Sequence, residues 1–128
     1  MGATTAEVRE WLEAFSAAVR AADYARGAAL FDPGVLGFGT VAARADGREQ
    51  LVREQWGKTW GVTRGFRFDL DLARIEVVGD FAWVASTWSS TGFDARGEPF
   101  PRVGRASIVL RRSGKSWLAV HTHFSLRP

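Results

Sequence analysis

The sequence predicts an α+β fold, with helices from the N-terminal half covering one face of an antiparallel sheet. Three observations predict it. Up to Gly61 the apolar residues recur at helical spacing, behind three N-terminal cap signals. From Phe66 onward the apolar period falls to two and stays there. The 128 residues, 46% of them hydrophobic, suffice for one compact domain, 1–128, with a sizeable core, and leave no room for a second.

Thr4 and Glu7 form a capping box, and behind it Val8, Trp11, Leu12, Phe15 and Val19 make one helical stripe. Asp23 caps a second, shorter helix running through Tyr24 to Leu30, halted by the turn signal Asp32-Pro33-Gly34. Val35 to Thr40 reads as a short strand, with Gly37 and Gly39 allowing bending or close backbone approach. Asp46 and Glu49 open a third helix carrying Leu51, Val52, Gln55, Trp56, Thr59 and Trp60, ended by Gly61.

Phe66, Phe68, Leu70 and Leu72 then share one strand face, with Arg67, Asp69 and Asp71 on the other. Ile75 and Val77 break that parity, and a β-bulge near Ala73-Arg74 would account for the slip and curve the sheet. Gly79-Asp80 turns the chain into a strand from Phe81 to Thr91. A loop from Gly92 to Pro101 follows. Val103 to Arg112, a Ser113-Gly114 turn and Ser116 to Ser125 complete the sheet.

Composition excludes several classes. With no cysteine there are no disulfides, thiolate metal sites or cysteine nucleophiles, which fits the cytoplasm. No apolar run reaches the ~18 residues of a membrane span, and no signal-peptide layout opens the chain. The net charge of +3 and pI of about 10.2 invite thoughts of nucleic acid. The cations, however, are scattered singly among acids, Arg111-Arg112 being the only adjacent pair, so no nucleic-acid patch is expected. Basic residues that are nearly all Arg point to a GC-rich bacterial genome.

The most specific stretch is the last strand, Trp117-Leu-Ala-Val-His121-Thr-His123-Phe-Ser125. It is entered through Leu110-Arg-Arg-Ser-Gly114-Lys-Ser. The pattern W-x-x-V-H-x-H-x-S resembles the closing strand of the SnoaL-like, nuclear transport factor 2-like superfamily. The nearest likeness is to the branch with the association domain of calcium/calmodulin-dependent kinase II, and it extends from about Asp46 to the C-terminus. The resemblance implies a cone-shaped fold, a curved antiparallel sheet wrapped around three helices with an internal pocket. It also implies assembly through the sheet's convex face as a homodimer or larger homo-oligomer. The pocket arginines of that branch fall at or near Trp88, Ser107 and Phe124, where none is retained. Ketosteroid isomerases of the superfamily place an aspartate base at the end of the strand after the second helix. The matching stretch here, Leu36-Gly37-Phe38-Gly39, has no carboxylate.

Several side chains are candidates for a site. His121 and His123 alternate by two and share a face with Ala119 and Ser125, leaving metal ligation, acid–base work and a structural role all open. No third metal ligand is identifiable, so no metal is expected. Trp88, between Ser86 and Ser90, faces the interior by alignment with the family, as pocket wall or plain core. Trp56 and Trp60 form a pocket rim or core, and Phe68 and Phe124 join the same wall. Arg105, two residues before Ser107, is either a solvated strand residue or a cation inside an apolar cavity, wanting a carboxylate. Tyr24 can offer a hydroxyl or pack as a half-buried ring. Asp32 reads as a turn residue, and Asp69 and Asp71 as outer-face groups.

These readings describe a small-molecule-binding SnoaL-like protein without a cofactor. As an enzyme it would be of isomerase, cyclase or hydratase type, acting on an apolar or polycyclic compound with a polar tip; no catalytic residue is assigned. The alternative is a non-catalytic oligomerisation or ligand-sensing module resembling the kinase association domain.

Overall fold

The computed structural model describes residues 4–127. Helix α1 (Thr5–Ala21) begins where the Thr4 side chain accepts from the Glu7 amide, and it buries Val8, Trp11, Leu12, Phe15 and Val19 along one stripe. Asp23 caps α2 (Tyr24–Ala28) in the same way, accepting from the Arg26 amide. Strand β1 (Phe31–Phe38) starts earlier than the sequence suggests. Asp32-Pro33-Gly34 is a bulged stretch inside it, not a halt before it, with Asp32 Oδ2 accepting from the Gly34 amide.

After the short β2 (Ala45–Asp46), the third helical segment is not uniform. It runs α3 (Arg48–Leu51), a π-helical turn (Val52–Trp56), α4 (Gly57–Thr59) and a 3-10 turn (Trp60–Val62). The residue before it is Gly47 at φ 95°, and Asp46 does not cap it. The Asp46 carboxylate is drawn to Arg44 instead, at 2.9 Å.

Strands β3 (Arg64–Phe68) and β4 (Arg74–Val78) both pair with the long β5 (Phe81–Phe93), one after the other along its edge. The parity slip between Phe68 and Ile75 therefore comes from a turn at residues 69–73 that leaves Leu72 exposed, not from a bulge. Strands β6 (Pro99–Ser113) and β7 (Ser116–Leu126) close the chain. The sheet order is β2-β1-β7-β6-β5-β3, antiparallel except for β1 against β7. The expected loop from Gly92 to Pro101 is shorter, since β5 runs to Phe93 and β6 begins at Pro99. Its tip is residues 94–98, where Asp94 Oδ1 accepts from the Arg96 and Glu98 amides.

The helices cover one face of this curved sheet, giving the α+β cone expected from the sequence. Along β5 the even residues Ala82, Val84, Ser86, Trp88 and Ser90 are buried, and the odd residues Phe81, Trp83, Ala85 and Thr87 are exposed. On β7 a bulge at Val120 reverses the parity, since Leu110 pairs with Ala119 but Val109 pairs with His121. Trp117, Ala119 and Thr122 thus face the helices, while His121 and His123 face outward. Ala119 and His121 do not share a face, as unbroken alternation would require.

One polar link ties the two ends of the described chain. Glu7 Oε1 accepts from the Arg112 guanidinium at 2.9 Å and from the Trp117 indole at 3.2 Å, holding α1 against the β6–β7 hairpin. The hydrogen bond from Arg112, then that from Trp117, lowers the Glu7 pKa below its ordinary 4.5. A depressed carboxyl pKa adds stability that is fully present above pH 4.5 and is lost as the pH falls through the folded value. Glu7→Gln should therefore lower the melting temperature at pH 7 and flatten its fall between neutral pH and pH ~3. Paired thermal melts of the two proteins across that range check this.

Candidate functional site

Between the helices and the sheet lies a cavity of about 60 Å³, open on one side. Phe15 and Val19 of α1, Phe31 of β1 and Phe66 of β3 form its apolar floor. Trp56 and Trp60 stack at 4.3 Å on one flank, and Trp88 and Phe124 sit 6.2 Å apart on another. The half-exposed Thr40, Thr63 and Arg102 mark the open side.

The π-helical turn gives the site its polar anchor. At this turn the Gly57 amide reaches back to Val52 O, widening the helix by one residue and setting Gln55 and Trp56 towards the interior. Gln55 Oε1 accepts from the Val41 and Ala42 amides, both at 2.8 Å, so its Nε2 is fixed as the donor to Thr40 Oγ1, also at 2.8 Å. Thr59 and Thr63 turn their hydroxyls back onto the carbonyls of Gln55 and Thr59. Gly39 has to be glycine for this packing. A Cβ there would overlap the Gln55 amide.

Arg102 supplies the only charge among the lining residues. It lies on β6 opposite Ser90, donates to Thr40 Oγ1 at 2.8 Å, and places its guanidinium 5.3 Å from the Trp88 ring centre. It makes no ion pair among the described residues, and burial pulls its pKa below that of a free guanidinium. Among the described residues no carboxylate, imidazole, thiol or amine lines the cavity, so none of these lining side chains is suited to accept a proton near neutral pH.

Of the eight residues singled out for binding, four line the cavity: Trp56, Trp60, Trp88 and Phe124. Tyr24 lies outside it, half-buried and stacked on Trp60 at 5.5 Å. Phe68 is buried core, packed edge-on behind Phe66 at 5.1 Å. Arg105 and Ser107 fall on odd positions of β6 and so point outward; Arg105 borders an outer hollow with Asp69, Thr87 and Arg127. A cation in an apolar cavity does exist, but it is Arg102. The signal was the even run Gly104, Ala106, Ile108 and Leu110, which continues backwards through Arg102.

The outward histidines pack together. His121 Nδ1 lies 2.7 Å from Leu36 O, and because a carbonyl only accepts, Nδ1 carries the proton. Phe38 packs edge-on against both imidazoles, at 5.2 and 5.6 Å. Among the described residues no group of three or more His, Cys, Asp or Glu side chains is placed to hold a metal ion. No described helix is long and apolar enough to cross a membrane.

A family model for the SnoaL-like domain matches residues 8–128. The chain belongs to that family. A search of the curated proteins found no match. Among solved structures, a protein from Xanthomonas campestris described as a calcium/calmodulin-dependent protein kinase II association domain superposes with a TM-score of 0.85. It is 19% identical, covering 98% of this chain and 89% of that one. A nuclear transport factor 2-like superfamily protein from Salmonella enterica gives 0.81 at 24% identity, covering 95% and 89%. A ketosteroid isomerase-like protein from Erwinia carotovora gives 0.80 at 19% identity, covering 96% and 95%. At these identities the SnoaL-like chain shares the fold with all three.

Gln55→Leu should leave the Val41 and Ala42 amides and a Thr40 lone pair without their partner. At about 1–3 kcal/mol for each unsatisfied buried group, less where water can enter, the loss should be about 2 kcal/mol in urea unfolding. Hydrogen exchange at the Val41 and Ala42 amides should quicken alongside it.

Proposed function

We propose that this SnoaL-like protein binds a small, largely apolar molecule with a polar tip and does not perform acid–base chemistry on it. The observation that carries this reading is the lining itself: aromatic walls, one cation, and no side chain that exchanges a proton near neutral pH. The cavity's size narrows the ligand. At ~10–15 Å³ per water, 60 Å³ holds about four to six water-sized groups, well short of the ~150 Å³ that admits a benzene ring. A polycyclic compound therefore does not fit with the side chains as they stand. Six non-hydrogen atoms at the ceiling of about 1.5 kcal/mol each would limit the affinity to about micromolar.

The test is ligand-detected NMR with neutral and charged fragments of up to six heavy atoms, on the native protein and on Ser90→Leu. Ser90 is buried on β5 and lines the cavity, so leucine there fills it without touching the outer face. Binding of at least one fragment, lost in Ser90→Leu, is expected. Fragments that bind both proteins alike would defeat the reading.

The second half of the proposal concerns assembly, through the outer face of the sheet as a homodimer. Val78, Phe81 and Trp83 are 71%, 50% and 42% exposed there, more adjoining apolar surface than a lone chain favours. Val109 lies opposite Trp83 in the β5–β6 register and extends the patch. A face crossing a two-fold axis meets its own copy, so one apolar patch suffices for both partners. The similarity to an association domain supports the same reading. Light scattering should give twice 14.1 kDa for the native chain and 14.1 kDa for Trp83→Arg. A native mass of 14.1 kDa at micromolar concentration would rule assembly out.

A further inference from the structure

The polar hydrogens around the cavity outnumber the acceptors offered to them. Thr40 Oγ1 has two lone pairs and one proton, and both lone pairs are taken, one by Gln55 Nε2 and one by Arg102. Gln55 cannot flip to release it, because its oxygen holds two backbone amides. The Thr40 hydroxyl proton is thereby left to donate to something outside the protein's own network.

Arg102 is in the same position. Of its five N–H groups, one is spent on Thr40, and no carboxylate neutralises the guanidinium. Trp88 Nε1, in the wall beneath it, is buried with no acceptor. The Thr40 hydroxyl and the Arg102 guanidinium, joined at 2.8 Å on the open side of the cavity, thus lack an acceptor, while the Trp88 indole N–H lies sealed within the wall. A half-buried cation without a counter-charge is also costly, since desolvation removes the water that would stabilise it.

Building on the small-molecule reading of this cavity, we infer that its ligand is a small carboxylate, one oxygen on Arg102 and the other on the Thr40 hydroxyl. Arg102 holds N–H groups beyond the one given to Thr40, and an ionised acceptor makes its bonds to Arg102 and Thr40 shorter and stronger than a neutral one would. The remaining space, lined by Trp56, Trp88 and Phe124, takes a tail of three or so carbons, since the cavity holds about six heavy atoms in all. Gln55 acts as a positioning residue: it fixes which way the Thr40 proton points without touching the ligand.

The experiment uses butyrate as the probe and butyramide, the same size but neutral, as its control, titrated into the native protein by calorimetry and by NMR. Arg102→Met keeps a side chain over Trp88 and removes the charge, and Arg102→Lys keeps the charge but not the fork. Butyrate should bind at least tenfold more tightly than butyramide, shift the Arg102 Nε–H resonance, and lose that advantage in Arg102→Met. Arg102→Lys should retain part of it, which separates lost charge from lost folding. Equal binding of the two probes, or butyrate binding that survives Arg102→Met, would overturn the carboxylate assignment while leaving the small-molecule reading intact. If neither probe nor any neutral fragment binds the native protein, both fall together.

Discussion

The ring of Phe15 is the contact on which the rest of the molecule depends. From the middle of α1 it touches seven other aromatic rings: Trp11, Phe31, Trp56, Trp60, Phe66, Phe68 and Phe124, at centroid distances from 5.5 to 6.3 Å. These come from α1, β1, the π-helical turn, the 3-10 turn, β3 and β7, so a single side chain ties every layer together. Each such pair adds about 0.5–1.5 kcal/mol beyond its buried area, though pairs sharing one ring do not add independently. The arrangement also explains why a cavity survives beside it. Rigid rings meet at steep angles and leave angular gaps.

Around that apolar frame, the polar side of the cavity is built by one residue in an irregular helix. A regular helix through Val52–Trp56 would turn Gln55 by a different angle; the π-turn delivers it under the Thr40–Ala42 segment, where it fixes two backbone amides and a hydroxyl at once. Thr40 in turn receives Arg102 from β6. The chain from the helix through the loop to β6 is thus continuous, and its end is a cation held over Trp88. Position and charge have separate origins here. Gln55 contributes the first and Arg102 the second, and neither side chain alone makes an acceptor-seeking site.

Much of this was legible in the sequence, for a physical reason. Caps at Thr4 and Asp23 are local hydrogen bonds between residues three apart, so the sequence alone suffices to place them. Alternation groups Ser86, Trp88 and Ser90 on one face of β5, the family resemblance turns that face inward, and Trp88 is buried there. What escaped depends on partners distant in the chain. The bulge at Val120 is a property of the β6–β7 register, and one unpaired residue there moves His121 and His123 to the outer face. The turn at residues 69–73 mimics a bulge because both shift parity by one. Arg102 hides behind Pro101, where the sequence reads as loop and the structure continues β6 to Pro99. Asp46 keeps the look of a cap but spends its carboxylate on Arg44, two residues away.

The same alternation binds the two proposed activities to one strand. Along β5, Phe81 and Trp83 turn outward to the face assigned to the second copy, while Trp88 and Ser90 turn inward to the cavity. Strand β6 repeats the division, with Val109 opposite Trp83 on the outer side and Arg102 opposite Ser90 on the inner. Backbone hydrogen bonds hold the two strands in a single register from Phe81–Arg111 to Phe93–Pro99. A shift of that register by one residue would exchange the faces and ruin both surfaces together. The pairing is therefore constrained from two directions.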